Sequence, residues 1–336
     1  MKKKIIIIVS ILVVCTILGI ICLNTKTTTD WSKYDTTEVT SDESLKITQG
    51  GVYTISNDIS DGGIIIDTNE SVKLVLNGVS IKNSNGPAIL VLNAKLVEIE
   101  LVDTNTLEDG STYSNEYTDY NAVIYSKDDL SFSGTGTIKI KANYKDAITS
   151  KDTLTIKDGT YIIESADDGI RGKDSLTIEN GTFTITSKDD ALRSDGIITI
   201  ENGKFTITAN EGIEATYIKI NGGEINIEAS DDGINAANKS DEYSVTIEIN
   251  GGTITIVMGQ GDTDGIDSNG DIIINGGTIN VTGQSTFDYD GKGEINGGTV
   301  ICNGQKVTTL PNQMMGGMPN GNMAPEEQNV RQYRRY

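Results

Sequence analysis

A short phrase, Asp-(Gly/Ala)-(Ile/Leu), recurs along this chain and constrains its fold more than any other feature. It begins at Asp146, Asp168, Asp190, Asp232 and Asp264, with Glu211-Gly212-Ile213 as a variant. From Asp146 through Asp168, Asp190 and Glu211 to Asp232 the spacings are 22, 22, 21 and 21 residues. A fixed period of this size marks a solenoid, whose repeats bury their apolar faces only by stacking on neighbours. About halfway through each repeat comes Asn-Gly or Asn-Gly-Gly, then alternating polar and apolar residues. Examples are Asn180-Gly181-Thr182-Phe183-Thr184-Ile185 and Asn275-Gly276-Gly277-Thr278-Ile279-Asn280-Val281. Such alternation has the period of a strand, and Thr, Ile, Val and Phe suit its half-buried surface. Asn-Gly supplies the positive φ of a tight turn. Two strand signals lie in each repeat, such as Leu176-Thr177-Ile178 and Phe183-Thr184-Ile185, and no stretch of the repeat has helical apolar spacing. The pattern predicts an all-β chain, a parallel β-helix with coils of about 22 residues.

The inward columns follow from the same alignment. One runs Ile138, Tyr161, Phe183, Phe205, Ile225, Ile254, Ile279 and Val300; the next runs Ile140, Ile163, Ile185, Ile207, Ile227, Ile256, Val281 and Cys302. Tyr161, Phe183 and Phe205 resemble a sugar-stacking platform, but they share the parity of the aliphatic positions and are read as core.

The 336 residues carry 27 basic and 48 acidic side chains, a net charge of −21, and no histidine. That charge excludes nucleic acid as a partner, because phosphate contacts need a basic footprint. The lack of histidine excludes a Ser-His-Asp triad and a His-ligated zinc site. Cys15 and Cys22 fall in an N-terminal apolar run and Cys302 in a core column, so no disulfide framework is expected.

Lys2-Lys3-Lys4 followed by an apolar run from Ile5 to Leu23 predicts export, through an uncleaved membrane anchor in preference to a removed signal peptide. The expected organisation is anchor or signal peptide 1–24, linker 25–44, β-helix 45–310 and disordered tail 311–336. This implies a protein at the surface of a Gram-positive-type bacterium, membrane-associated through its N-terminal segment. The oligomeric state is left open.

The repeated phrase stacks carboxylates: Asp146, Asp168, Asp190, Glu211, Asp232, Asp264 and one of Asp288 and Asp290, doubled by Asp167, Asp189 and Asp231. Asp267 follows on the same corner, as do Asp174, Asp195 and Glu214. Acids repeated at strand spacing repel one another. Oxygen-only ligands favour a hard cation, so the stacked and doubled acids with Asp267, Asp288 and Asp290 are the candidate Ca2+ site. Two alternatives stand beside it: the acids cap turns, or Lys145, Arg171, Lys173, Lys188 and Arg193 neutralise them. Arg171 and Arg193 occupy the same place in adjacent coils and suit the two-pronged grip of a carboxylate. With Tyr144, Lys145 and Lys173 they form the candidate saccharide site, their alternative role being pairing with Asp across coils. An insertion, Asp103 to Tyr120, adds acids and Tyr113, Tyr117 and Tyr120 on a long loop suited to a sugar or cation. A second, Asn238 to Tyr243, lengthens a later coil.

A set of phrases, in order, carries a family resemblance: Asp103-Thr104-Asn105-Thr106-Leu107, Ser126-Lys127-Asp128-Asp129-Leu130, Ala166-Asp167-Asp168-Gly169-Ile170-Arg171-Gly172-Lys173-Asp174, Glu211-Gly212-Ile213-Glu214-Ala215, Asp231-Asp232-Gly233-Ile234-Asn235-Ala236, Asp264-Gly265-Ile266-Asp267-Ser268 and Asp288-Tyr289-Asp290-Gly291. Over residues 45–310 the chain resembles exported bacterial β-helix proteins known as carbohydrate-binding domain-containing, implicated in binding cellulose and acidic sugars and akin to pectate lyases. The resemblance implies a right-handed, single-stranded parallel β-helix with bound calcium, ligated at the Asp-Asp-Gly phrases. It also implies polysaccharide binding without established catalysis. The chain departs where Ala147 and Ala191 replace Gly. The leading expectation is a surface polysaccharide-binding protein with no catalytic residue assigned. A calcium-dependent lyase using Lys145, Lys173 or Arg171 as base ranks below it, since an acidic field pushes a lysine upward. A structural surface protein is the third reading.

Overall fold

The computed structural model describes residues 29–261 and 263–312. The expected anchor and all but the first two residues of the expected tail lie outside the described residues. Residues 29–35 form one 3-10 turn, Trp31–Lys33, capped by Asp30, whose carboxylate accepts the Ser32 N–H at 3.3 Å.

From Thr36 onward the chain is a parallel β-solenoid of about 11 turns with roughly 23 residues per coil. Each full coil has three strands rather than two; one coil runs Thr160–Ser165, Ile170–Gly172 and Ser175–Ile178. Stacked coils give three sheets of 11, 11 and 12 strands among the described residues. They are called here the threonine sheet, the acidic sheet and the third sheet, in that order. At the C-terminal end Gln305–Val307 folds back antiparallel onto Thr299–Cys302, covering an edge that would otherwise be open to pairing. At the other end Thr36–Val39 pairs with Gly51–Ile55, so the stretch read as linker contains the first strand.

In the threonine sheet, alternation decides which side chains enter the core. Thr182, Thr184 and Thr186 face out, while Phe183, Ile185 and Ser187 are buried. Both inward columns stack in register as the spacing predicts. The rings of Tyr161, Phe183 and Phe205 lie 4.8 and 4.6 Å apart at 9° and 4°, fully inside the core. They are structural and present no face to a sugar. Cys302 ends the second column as a buried free thiol.

The turn before this sheet needs glycine. Gly181 has φ +134°, and a Cβ there would lie 2.9 Å from the Phe183 ring and 3.0 Å from the Gly159 carbonyl oxygen. Further along, the turn asparagines chain together: Asn250 donates to Asn221 at 2.9 Å, Asn275 to Asn250 at 2.8 Å and Asn296 to Asn275 at 3.0 Å. Such amide ladders hold identical stacked corners.

The acidic sheet begins at the recurrent phrase itself, as in Asp146–Ser150, Asp190–Arg193 and Asp264–Ser268. Here alternation breaks. Ala191 and Leu192 are both buried in the core, so Asp190 and Arg193 flank them on the outer face. The Ala coils carry the same strand as the Gly coils. The loop after Leu107 is shorter than expected, because Thr104–Asp109 is a regular strand of the threonine sheet. The true insertion starts at Gly110.

Candidate functional site

One outward column runs the length of the acidic sheet. Through successive registers it reads Lys46, Ile65, Leu90, Tyr125, Thr149, Arg171, Arg193, Glu214, Asn235, Asp267 and Asp288. Its chemistry passes from apolar to basic to acidic. Beside it, three residues earlier in the six coils from Thr149 to Asp267, stand the phrase acids.

Where the two arginines stand, the acids are paired within the protein. Arg193 places Nη1 at 2.8 Å from Asp190, 3.6 Å from Glu214 and 3.9 Å from Asp189, with Nε 3.7 Å from Asp168. Arg171 donates to Asp195 at 3.1 Å and lies 3.8 Å from Asp168. These guanidiniums are engaged by carboxylates across coils, the second of the two roles open to them from sequence. Lys145 reaches Asp167 at 3.8 Å and Lys173 reaches Asp174 at 3.8 Å. Tyr144 stacks on Tyr113 at 4.2 Å. The five expected saccharide contacts therefore do not converge on one pocket.

The acids also hold backbone. Asp146 accepts the Asp168 N–H at 3.4 Å, Asp168 accepts that of Asp190 at 3.4 Å, and Asp232 accepts that of Asp264 at 3.1 Å. Each carboxylate thus caps the next coil rather than its own turn. Burial is the first cause that raises them: Asp146 to about 6, Asp168 to about 7, Glu211 to about 7, with Asp190 raised too. Neighbouring acids push the same way.

Beyond Arg193 the column changes sign. Asp232 and Asp267 are each pushed up to about 7, first by burial and then by acids: Asp267, Asp231 and Asp264 act on Asp232, and Asp264, Asp288 and Asp290 on Asp267. Asp232 and Asn235 on one coil face Asp264 and Asp267 on the next. The Asn235 side-chain oxygen is buried with no hydrogen-bond partner, while its amide nitrogen donates to Glu211 at 3.1 Å. An orphaned carbonyl oxygen among raised carboxyls suits a hard cation, and the donors are all oxygen. Tighter carboxylate groups exist, Asp167–Asp168–Asp189 and Asp190–Glu211–Glu214, with oxygens within 4.8 Å of one another. Both already carry Arg193, and Lys239 pairs with Glu214 at 2.6 Å.

Register corrects one placement. Ser285, not Asp288 or Asp290, follows Asp264; Asp288 stacks on Asp267 instead. Asp288 stands three residues beyond Ser285, which puts it in the neighbouring column. Two lysines beside the outer column escaped the sequence reading. Lys239 sits in the second insertion, whose Lys239 and Ser240 N–H groups bond the Thr216 hydroxyl. Lys151 lies 5.7 Å over the Tyr125 ring, and burial, then Arg171, lowers its ammonium. Only the spacing of Lys151 two residues after Thr149 in the column pointed to it.

A parallel β-solenoid with an acidic outer ladder is the class these features define. The chain belongs to the carbohydrate-binding domain-containing protein family, whose model matches residues 41–218 and 198–309. It is 35% identical over 132 residues to a carbohydrate-binding domain-containing protein of Acetivibrio thermocellus, a match covering 37% of this chain and 46% of that protein. The match thus spans about half the length of that relative. It is also similar to a solved polysaccharide lyase-like protein from C. thermocellum, described as a gadolinium derivative. That likeness has 27% identity and a TM-score of 0.45, and covers 83% of this chain and 90% of that one.

Proposed function

We propose that this protein binds polysaccharide at the cell surface, and that Asp232, Asn235, Asp264 and Asp267 hold a calcium ion serving acidic sugars such as polygalacturonate. The observation that carries the metal reading is the change of the outer column from Arg171 and Arg193 to Asn235, Asp267 and Asp288. Acids beside the arginines have an internal counter-ion; after burial, the charges that act on Asp232 and Asp267 are all acids. Calcium takes six to eight oxygens, more than these four residues offer as single ligands, so a saccharide carboxylate can complete the shell. Membership of a carbohydrate-binding family supports the saccharide. The engaged guanidiniums make cation bridging a better grip on a uronate than Arg171 or Arg193. The N-terminal Lys-rich and apolar segment supports export and membrane anchoring.

A pectate-type lyase is the second reading, favoured by Lys151, which among the described residues is the lysine whose ammonium is lowered. The test incubates the full chain with polygalacturonate and with cellulose, with calcium or chelator, and reads bound protein and the ultraviolet absorbance of unsaturated product. Calcium-dependent binding to polygalacturonate without product supports the binding reading. Product establishes a lyase, and no binding to either polymer refutes the proposal.

A further inference from the structure

The apolar stretch of the outer column has no part in the acidic site. Ile65 and Leu90 are adjacent in register there, with Tyr125 next. Tyr117 and Tyr120 from the inserted loop pack against Leu90, Ala122 and Tyr125, forming a small apolar cluster separate from the core. The loop is fixed in place. The Tyr113 hydroxyl donates to buried Asp109 at 2.7 Å, Ser114 N–H donates to the Asn85 carbonyl at 2.9 Å, and Tyr120 N–H donates to the Tyr117 carbonyl at 2.9 Å. The Tyr117 ring packs on Gly86, where a Cβ would come within 2.6 Å of the ring.

Between this loop and the first coils lies a cavity of about 370 Å³. Ile65, Leu90 and Tyr117 supply apolar surface, and Asp61, Asn85 and Glu116 supply hydrogen-bonding groups. Among the described residues no Lys or Arg lines it. Its volume falls in the range of small-molecule sites, about 300–1,000 Å³.

We infer that this cavity is a second saccharide subsite, specific for an uncharged pyranose unit. A neutral sugar presents C–H faces to aromatic and aliphatic surface and hydroxyls to carboxylates and amides, which is this lining. An acidic sugar would meet Asp61 and Glu116 with no Lys or Arg in the lining to offset them, Lys82 acting on Asp61 from outside it. Asp61 accepts the Ser84 N–H at 2.9 Å and the Ser84 hydroxyl at 2.8 Å, so its carboxylate is held in position. The subsite lies on the same face as the acidic ladder, and it needs no calcium. The inference rests on the polysaccharide reading, yet it fails independently of it.

The test is calorimetric titration of the full chain, in chelator, with a β-1,4-linked glucose pentamer, and in calcium with an oligogalacturonate. The native protein binds the pentamer in chelator; Tyr117→Ala and Ile65→Trp each weaken that binding about tenfold or more, and Tyr117→Phe retains it. All three stay folded by far-ultraviolet circular dichroism and keep the calcium-dependent oligogalacturonate binding. Pentamer binding unchanged in both Tyr117→Ala and Ile65→Trp overturns the inference. So does a native protein that binds oligogalacturonate but not the pentamer, whereas binding of neither ligand sinks the polysaccharide reading as well.

Discussion

Arg193→Gln removes the guanidinium that four carboxylates share, at 2.8 Å from Asp190, 3.6 Å from Glu214, 3.7 Å from Asp168 and 3.9 Å from Asp189. Breaking a buried ion pair from one side costs about 3–5 kcal/mol, because the partner charge is stranded. The Arg193 side chain is 23% exposed, which places the expected loss at the lower end, about 3 kcal/mol at pH 8 in chelator. The pH dependence follows from the raised carboxyls. Burial, then Asp146, pushes Asp168 up to about 7 in the fold, against an ordinary value of 3.8. Between those values the native state holds a proton the unfolded chain has released, so stability falls as pH rises through that window. Removing Arg193 raises these groups further, so acid relieves the variant more than the native protein. Urea unfolding followed by far-ultraviolet circular dichroism in chelator should show the deficit shrinking to about 1 kcal/mol or less at pH 5. A deficit equal at pH 5 and pH 8, or absent at pH 8, would refute the view that Arg193 neutralises the ladder.

Asp267→Asn removes one acid from the stretch where acids act on acids, so it should raise the melting temperature in chelator at pH 8 and abolish the increase that calcium gives the native protein. Phe183→Ala opens the middle of the stacked rings and should cost about 3–5 kcal/mol, read by urea unfolding. Gly181→Ala combines a strained φ of +134° with a Cβ 2.9 Å from the Phe183 ring, and should lower the melting temperature while Ala191→Gly, at a position already small, changes it less.

The threonine sheet was legible because nothing interrupts its period of two: Phe183 and Ile185 enter the core, and Thr184 between them faces out. The acidic sheet was visible only as a phrase. In Asp190-Ala191-Leu192-Arg193 two consecutive inward residues break the alternation, so the segment reads as a corner although it is a strand. The same break places Asp190 and Arg193 on one face, which is why the arginines pair with protein acids. Register settled what spacing could not: Asp288 lies behind Asp267, not Asp264. Lys239 reaches Glu214 only because an insertion folds back, a contact with no trace in the repeat. The Tyr117 cavity depends likewise on a loop whose path follows from Asp109, Asn85 and Gly86 rather than from any local pattern.

The most direct measurement is a calorimetric titration of calcium into the full chain, beside the Asp232→Asn plus Asp267→Asn double variant. The account predicts saturable calcium binding by the native protein that the double variant loses while keeping its fold. Equal calcium binding by both proteins, or none by the native one, would contradict it.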